Sequence, residues 1–290
     1  MSWVTIDEKR CNRCGMCAKR CPLCFSNRDG VIVAQADETC CNLCGHCVAL
    51  CAVGAVTHHK MDMANFPPLS KDLPVGSEAF LEMVRRRRSY RSFRDRPVPR
   101  EDIEKLLEMV RYCPTGSNMQ SVQVKVITRR EGIRRISEAT VAYFQELIAR
   151  VQRKVERLET EGKEIPQELK DRKAFVDRYA RLARAWEMGI DPILHGAPLV
   201  LIFHSPPNPS TPQEDCIIAA QTVVLGAMTL GLGSCYIGLV IKAAFDSPAV
   251  LRSLELPEGN TPYGLLVLGY PKLKFHRAVD RKPLVVQWEE

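Results

Sequence analysis

Eight cysteines carry the most legible chemistry in this sequence. Cys11, Cys14, Cys17 and Cys21 follow the spacing C-x2-C-x2-C-x3-C, with Pro22 next. Cys41, Cys44, Cys47 and Cys51 repeat it thirty residues later. Three cysteines two residues apart let a short loop wrap three corners of an iron–sulfur cube. The fourth is expected to start a helix that points toward the other cube and to serve that cube. The spacing therefore predicts two [4Fe–4S] clusters. One is held by Cys11, Cys14, Cys17 and Cys51, the other by Cys41, Cys44, Cys47 and Cys21. Zinc sites need two ligand pairs separated by a longer loop, a poorer match to four cysteines packed into eleven residues.

The repeat reaches beyond the ligands. Asp7, Glu8, Asn12 and Gly15 recur as Asp37, Glu38, Asn42 and Gly45, so an internal duplication about a pseudo-twofold axis is expected. Cys24 and Cys40 fall outside the ligand positions and read as spare thiols. Residues 1–60 resemble bacterial ferredoxins.

A second set of residues suits an anionic cofactor. Arg87-Arg88-Ser89-Tyr90-Arg91-Ser92-Phe93, Pro114-Thr115-Gly116-Ser117-Asn118-Met119-Gln120, Gly231–Gly238 and Arg281-Lys282-Pro283-Leu284 stand in this order along the chain. Together they resemble the motifs of the nitroreductase superfamily of flavin enzymes over residues 77–290. The resemblance implies FMN, a homodimer with flavin at the subunit interface, and cofactor contacts from Arg87, Arg88, Ser89, Arg91, Thr115, Gly116, Ser117, Asn118, Gln120, Ile237, Gly238 and Arg281. Arg87, Ser89 and Arg281 would hold the phosphate and ribityl chain, since guanidinium groups bind phosphate oxygens in bidentate fashion. Arg91 would stand at the pyrimidine edge, where negative charge gathers on reduction. Ser117 and Asn118 would hydrogen-bond the ribityl or ring, and Ile237 and Gly238 would lie against it. The family often has Pro-Trp after the glutamine; here Ser121-Val122 follow Gln120, which changes the pocket beside the flavin. No side chain is required as acid or base for hydride or electron delivery, so no catalytic residue is named.

The elements that must position these residues form an α+β chain: a small ferredoxin-like domain, then a mixed α/β domain of nitroreductase type with a helical insertion. Residues 1–60 are the first domain, 61–76 a proline-bearing linker, and 77–290 the second, with 131–189 as the insertion. Helices are expected from Ser77, with Phe80, Leu81 and Val84 on one face, and after Pro99, with Ile103, Leu106, Leu107 and Val110 at helical spacing. Apolar runs at Val122–Thr128, Leu199–His204, Ser234–Ile241 and Gly264–Gly269 read as strands. The charged stretch Glu131–Gly189, broken near Gly162–Pro166, reads as a solvated helical hairpin, or as a lid or a clasping arm.

Composition narrows the partners. The formal net charge is +7, but cluster-ligating thiolates reduce it, and the four-residue run Arg85–Arg88 is short for a nucleic-acid patch. No nucleic-acid motif, dinucleotide fingerprint, Walker motif or H-E-x-x-H stands beside it. Cys216–Ile241 lacks charge, yet Gly226, Gly231, Gly233 and Gly238 interrupt it, so a buried helix and strand joined by a glycine turn is expected, not a membrane span. Ten of the 13 cysteines precede residue 52, and Met1–Arg10 has no signal-peptide core. A reducing, cytoplasmic setting follows.

The combination implies an FMN-dependent oxidoreductase that reduces a small conjugated acceptor (a nitroaromatic, quinone or enone) with electrons passed through its own clusters. The donor would be NAD(P)H or reduced ferredoxin. A non-enzymatic electron-transfer module serving a protein partner, or a redox sensor, would use the same cofactors differently.

Overall fold

The computed structural model describes residues 2–70, 72–177 and 179–290. It divides into two units, Met1–Val75 with Ser117–Gln120, and Gly76–Gly116 with Ser121–Glu290.

The first unit contains β1 (Val4–Ile6), α1 (Met16–Arg20), β2 (Phe25–Arg28), β3 (Val31–Ala34), α2 (His46–Ala49) and β4 (Val56–His58). β1 pairs antiparallel with β4, and β2 with β3, giving two small sheets. Val4, Cys24, Phe25, Ile32, Ala36 and Val56 form its core. The duplication in sequence is a duplication in backbone. Cys11 and Cys41 each donate their N–H to the carbonyl of Asp7 or Asp37, at 2.9 Å in both halves. The Asp7 and Asp37 carboxylates each accept the N–H two residues on, from Lys9 and Thr39, again at 2.9 Å. Arg13 and Leu43 are left-handed, as are the helix-capping Gly15 and Gly45. A side chain at Gly45 would also strike the Phe66 ring, 2.9 Å from an added Cβ. Residues 61–75 belong to this unit, and their described residues include a 3-10 turn at Met63–Asn65, capped by Asp62.

The second unit comprises α3 (Ser77–Arg86), α4 (Arg100–Arg111), β5 (Gln123–Ile127), α5 (Arg130–Thr160), α6 (Gln167–Asp177), α7 (Ala180–Glu187), β6 (Leu199–Ser205), α8 (Pro212–Thr229), β7 (Gly233–Tyr236), α9 (Gly238–Asp246), α10 (Pro248–Ser253) and β8 (Thr261–Gly269). Its antiparallel sheet runs β5-β6-β8-β7. All seven residues of β6 are buried, which fits a central strand with both faces covered. One face packs on α4 and α8 through Leu106, Leu199, Leu201, Phe203, Ala220 and Val223. The other packs on α5, α9 and α10 through Ile136, Phe144, Val200, Ile202, Val240 and Val250. Pro212 at the first turn of α8 and left-handed Gly231 after it bound this helix, whose charges, Glu214 and Asp215, both lie in its first turn. Among the described residues, no helix is long and apolar enough to cross a membrane.

Three expectations need correction. The fourth cysteine of each motif does not start a helix: Cys21 caps the C-terminus of α1, and Cys51 follows the end of α2. The apolar run Ser234–Ile241 is not one strand: β7 stops at Tyr236 and Gly238 opens α9. Burial on both sides of the junction hides the change of period. The charged stretch from residue 131 is not a solvated hairpin. α5 buries Ile133, Ile136, Phe144, Leu147, Val151 and Val155 in the main core. Its break falls where expected, with α5 ending at Thr160, Gly162 left-handed and α6 following Pro166. Phe80, Leu81 and Val84 do share the helix α3, but each is more than 40% exposed in the single chain.

Candidate functional site

In the first unit, Cys11, Cys14, Cys17 and Cys51 line one apolar cavity with Ile6, Met16, Ile32, Val53 and Val56; Cys47 also reaches it. This includes the ligand set expected from the spacing, with the fourth cysteine drawn from the other half of the repeat. In the second set, Cys41 lies within electrostatic reach of both Cys44 and Cys21, and Cys47 within reach of Cys41 and Cys44. Burial raises the Cys17 and Cys41 thiols and pushes Cys47 up to about 11. Such thiols remain protonated unless a metal stabilises the thiolate, so iron binding would release protons here.

Two groups aim hydrogen bonds at the sulfurs of these sets. The Ala55 N–H donates to Cys51 Sγ at 3.1 Å. His58, almost fully buried, has its Nε2 3.4 Å from Cys41 Sγ. The Lys60 N–H donates to His58 Nδ1, so the neutral ring carries its proton on Nε2 and donates it to the sulfur. Burial, then the neighbouring His59, lowers the His58 pKa and keeps the ring neutral. These donors and the apolar lining suit iron–sulfur ligation, where hydrogen bonds to sulfur set the potential.

In the second unit, the segment Ser89–Phe93 lies beside the sheet. Ser89 bridges Ser234 in parallel, the Tyr90 N–H donates to the Ser234 carbonyl at 2.9 Å, and Phe93 bridges Pro271. Close approach requires glycine on the sheet side: an added Cβ at Gly233 would lie 2.6 Å from the Tyr90 ring, and at Gly269, 3.0 Å from the Phe93 ring. This register brings Arg87, Ser89 and Arg91 together around buried Cys235. Burial pushes the Cys235 thiol up, against the Arg91 charge, hydrogen bonds from Ser89 and Arg91, and the Arg87 charge. Next along the chain, Ile237 is buried and bonded through its N–H to the Leu265 carbonyl. Gly238 opens α9, and an added Cβ there would meet nothing within 4 Å. Two guanidinium groups, a hydroxyl and an open helix N-terminus are the donors a phosphorylated flavin requires.

The remaining expected residues are distributed differently. Arg88 is 9% exposed and bonds the carbonyls of Arg85, Arg87 and Arg277, so its guanidinium builds the scaffold. Arg281 is exposed on the segment after β8. Gly116 donates its N–H to Asp215 Oδ1 at 3.0 Å, and its missing side chain makes room for Thr211. Thr115 precedes it and is half-buried. Ser117, Asn118 and Gln120 all have positive φ near 50° and belong to the first unit. There Asn118 Nδ2 donates to the carbonyls of Asn42 and Leu43, both at 3.0 Å. Three left-handed non-glycine residues in four cost of order 1–3 kcal/mol each, strain typical of functional segments.

Four further residues join these sites without a sequence signal having singled them out: His58, Asp215, Cys235 and His195. Asp215 is buried and also accepts from Thr211 Oγ1, while its Oδ2 has no hydrogen-bond partner among the described residues. The threonine four residues ahead, at the mouth of α8, was the available hint. His195, left-handed at φ 59°, lines a cavity of about 700 Å³ with Arg91, Arg130, Arg134, Trp186 and Lys272. Its loop is organised by Asp191, which accepts the N–H groups of Ile193 and Leu194 and the Ser137 hydroxyl. Burial lowers the His195 pKa, with the Arg91 charge adding and Asp191 opposing. The cavity is cationic on balance, and Arg91 is common to it and to the group around Cys235.

The second unit is thus an antiparallel sheet covered by helices on both faces, with Ser89 and Phe93 bridged to it, in one chain with a module that carries two four-cysteine sets. The model of the nitroreductase family matches residues 84–270, and that of the 4Fe-4S binding domain matches residues 4–23. The chain belongs to the nitroreductase family and is an oxidoreductase. A 4-nitrobenzoate reductase from Nocardioides sp. is 28% identical over 205 residues, 67% of this chain and 81% of that protein. A protein from Archaeoglobus fulgidus named as an NADH dehydrogenase/NAD(P)H nitroreductase is 27% identical over 206 residues, 70% of this chain and 93% of that one. Among solved structures, a BluB-like flavoprotein from Clostridium difficile 630 shares the fold with a TM-score of 0.52 at 20% identity, covering 70% of this chain and 94% of its own. A nitroreductase with bound FMN from Bacteroides fragilis gives 0.50 at 21%, covering 71% and 97%.

Proposed function

We propose that this chain is an FMN-dependent reductase of small conjugated acceptors, nitroaromatics, quinones or enones, supplied with electrons through two [4Fe–4S] clusters. When bound, flavin takes up one or two electrons and passes hydride, whereas each cluster passes electrons singly. The observation that carries the reading is the convergence of Arg87, Ser89 and Arg91 around Cys235, at the end of β7, in a chain that also holds two four-cysteine sets. Arg87 and Ser89 bind phosphate and ribityl oxygens, and Arg281 completes the phosphate contact from the C-terminal segment. Arg91 holds positive charge at the ring edge, where reduction accumulates negative charge. His195, kept neutral by burial, leaves that charge to the arginines. The cysteines hold the clusters, with Ala55 and His58 donating to ligand sulfurs. The donor is NAD(P)H, entering over the flavin, or reduced ferredoxin, delivering to the clusters. The enzyme works as a homodimer in the cytoplasm, where its thiols remain reduced.

The test is an anaerobic spectral titration of reconstituted protein with NADH and then reduced ferredoxin, followed by 4-nitrobenzoate. Bleaching of both chromophores and reoxidation by the nitro compound supports the reading. Protein that binds iron but no flavin after reconstitution refutes it.

A further inference from the structure

Cys24 and Cys40 stand outside both ligand sets, yet they are brought together. Cys24 precedes β2 and Cys40 follows β3. The antiparallel register of that hairpin pairs Phe25 with Ala34, and the ladder continues one step further, where the Gln35 N–H donates to the Cys24 carbonyl. Cys40 Sγ faces the carbonyls of Gln35 and Asp37. The two sulfurs stand 2.7 Å apart, about 0.7 Å longer than a disulfide bond. Cys24 is buried and Cys40 half-buried.

We propose that Cys24 and Cys40 are a redox-active pair that forms a reversible disulfide by exchange with a low-molecular-weight disulfide of the glutathione type. The accessible Cys40 thiol loses its proton and attacks one sulfur of glutathione disulfide. A Cys40–glutathione bond forms, and one glutathione thiolate leaves and takes up a proton. Cys24 then loses its proton and attacks the Cys40 sulfur. The Cys24–Cys40 bond forms and the second glutathione leaves as a thiol. Overall, two protein thiols are oxidised and one glutathione disulfide is reduced to two thiols, with no electron drawn from a metal.

The bond would tie the turn after Cys21 to the turn before Cys41. Cys21 and Cys41 both belong to the second ligand set, so the pair reports the thiol–disulfide balance of its surroundings at the edge of that set.

The test uses the complete iron-loaded protein under anaerobic conditions in glutathione buffers from fully reduced to fully oxidised. After quenching with iodoacetamide, trypsin separates Cys24, in the peptide spanning residues 21–28, from Cys40, in the peptide spanning 29–60. The linked pair should rise about tenfold or more across the series, in step with the glutathione ratio. It should vanish with dithiothreitol while iron content stays unchanged. Cys40→Ser and Cys24→Ala should each abolish the link and retain full iron. The proposal is overturned by absence of the link in fully oxidised buffer, by its persistence in either variant, or by iron loss in Cys40→Ser, which would make Cys40 a ligand. If a variant fails to fold, the wild-type series decides alone. Iron content of the wild type tests the cluster reading separately.

Discussion

Replacing His58 with Phe should lower the reduction potential of the cluster that we propose Cys41 helps to hold. The ring's Nδ1 accepts the Lys60 N–H, which fixes the proton on Nε2, 3.4 Å from Cys41 Sγ. Reduction adds negative charge to the cluster and its sulfurs, so this donor stabilises the reduced form more than the oxidised one. A protein hydrogen bond is worth about 0.5–1.5 kcal/mol net. For a one-electron couple 59 mV corresponds to a tenfold change, about 1.4 kcal/mol. Losing the full bond therefore lowers the potential by roughly 20–65 mV. The long contact favours the lower half of that range. Phe fills the buried site, which is 1% exposed, and keeps water from taking the donor's place. His58→Gln, which retains a donor, should shift the potential less. An EPR-monitored potentiometric titration of holoprotein measures both variants. An unchanged or raised potential in the Phe variant, with iron content intact, refutes the reasoning.

Three other outcomes follow from the geometry. Gly45→Ala should lose about 1–2 kcal/mol from its left-handed backbone plus a clash with Phe66, whereas Gly30→Ala, also left-handed but in open space, should lose only the backbone share. Thermal unfolding of the two variants should rank them in that order; equal losses would contradict it. Arg91→Ala should weaken FMN binding by about 10–150-fold, the loss of a charge-assisted bond worth about 1.5–3 kcal/mol, at constant iron content. Equilibrium dialysis against FMN checks this, and unaltered affinity would remove Arg91 from the cradle. His204 accepts at Nδ1 from the Asn260 amide, 2.8 Å away, and burial followed by the Lys125 charge depresses its pKa below 6.5. The unfolded chain then binds the proton more readily, so stability is complete above pH 6.5 and falls as pH drops below it toward the folded pKa. His204→Gln should flatten the melting temperature between pH 7 and 5; an unaltered slope would assign the loss to other groups.

The cysteine module was readable because its geometry is local. Within each half, the cysteine spacing, the aspartate turn and the capping glycine all lie within fifteen residues, Asp7–Cys21 and Asp37–Cys51, so pattern and structure coincide. The Arg87–Phe93 segment was readable by resemblance, but its placement on β7 depends on Gly233 and Gly269, which carry no signal alone. Long-range partners were the illegible part. Gly116 and Asp215 meet across 99 positions, and nothing near either residue names the other. Arg88 looked like a cofactor ligand because it stands in the motif. Only the structure shows its donors turned to the carbonyls of Arg85, Arg87 and Arg277. Hydropathy also misled at Ser234–Ile241, where a buried strand and a buried helix are equally apolar. At α5, abundant surface charge masked an apolar row spaced for the core.

The Arg88 anchor also changes the statistics of the chain beyond it. The segment after β8 has no strand ladder, and its Arg277 carbonyl is held by a buried guanidinium. Arg281 lies four positions further on, and a flexible chain of four residues has an end-to-end distance of about 11 Å. The anchor therefore acts as a short leash, confining the Arg281 charge near the end of α3 at a millimolar effective concentration. A phosphate arriving beside Arg87 would recruit this second guanidinium as an intramolecular event, with much of its entropic cost already met by Arg88.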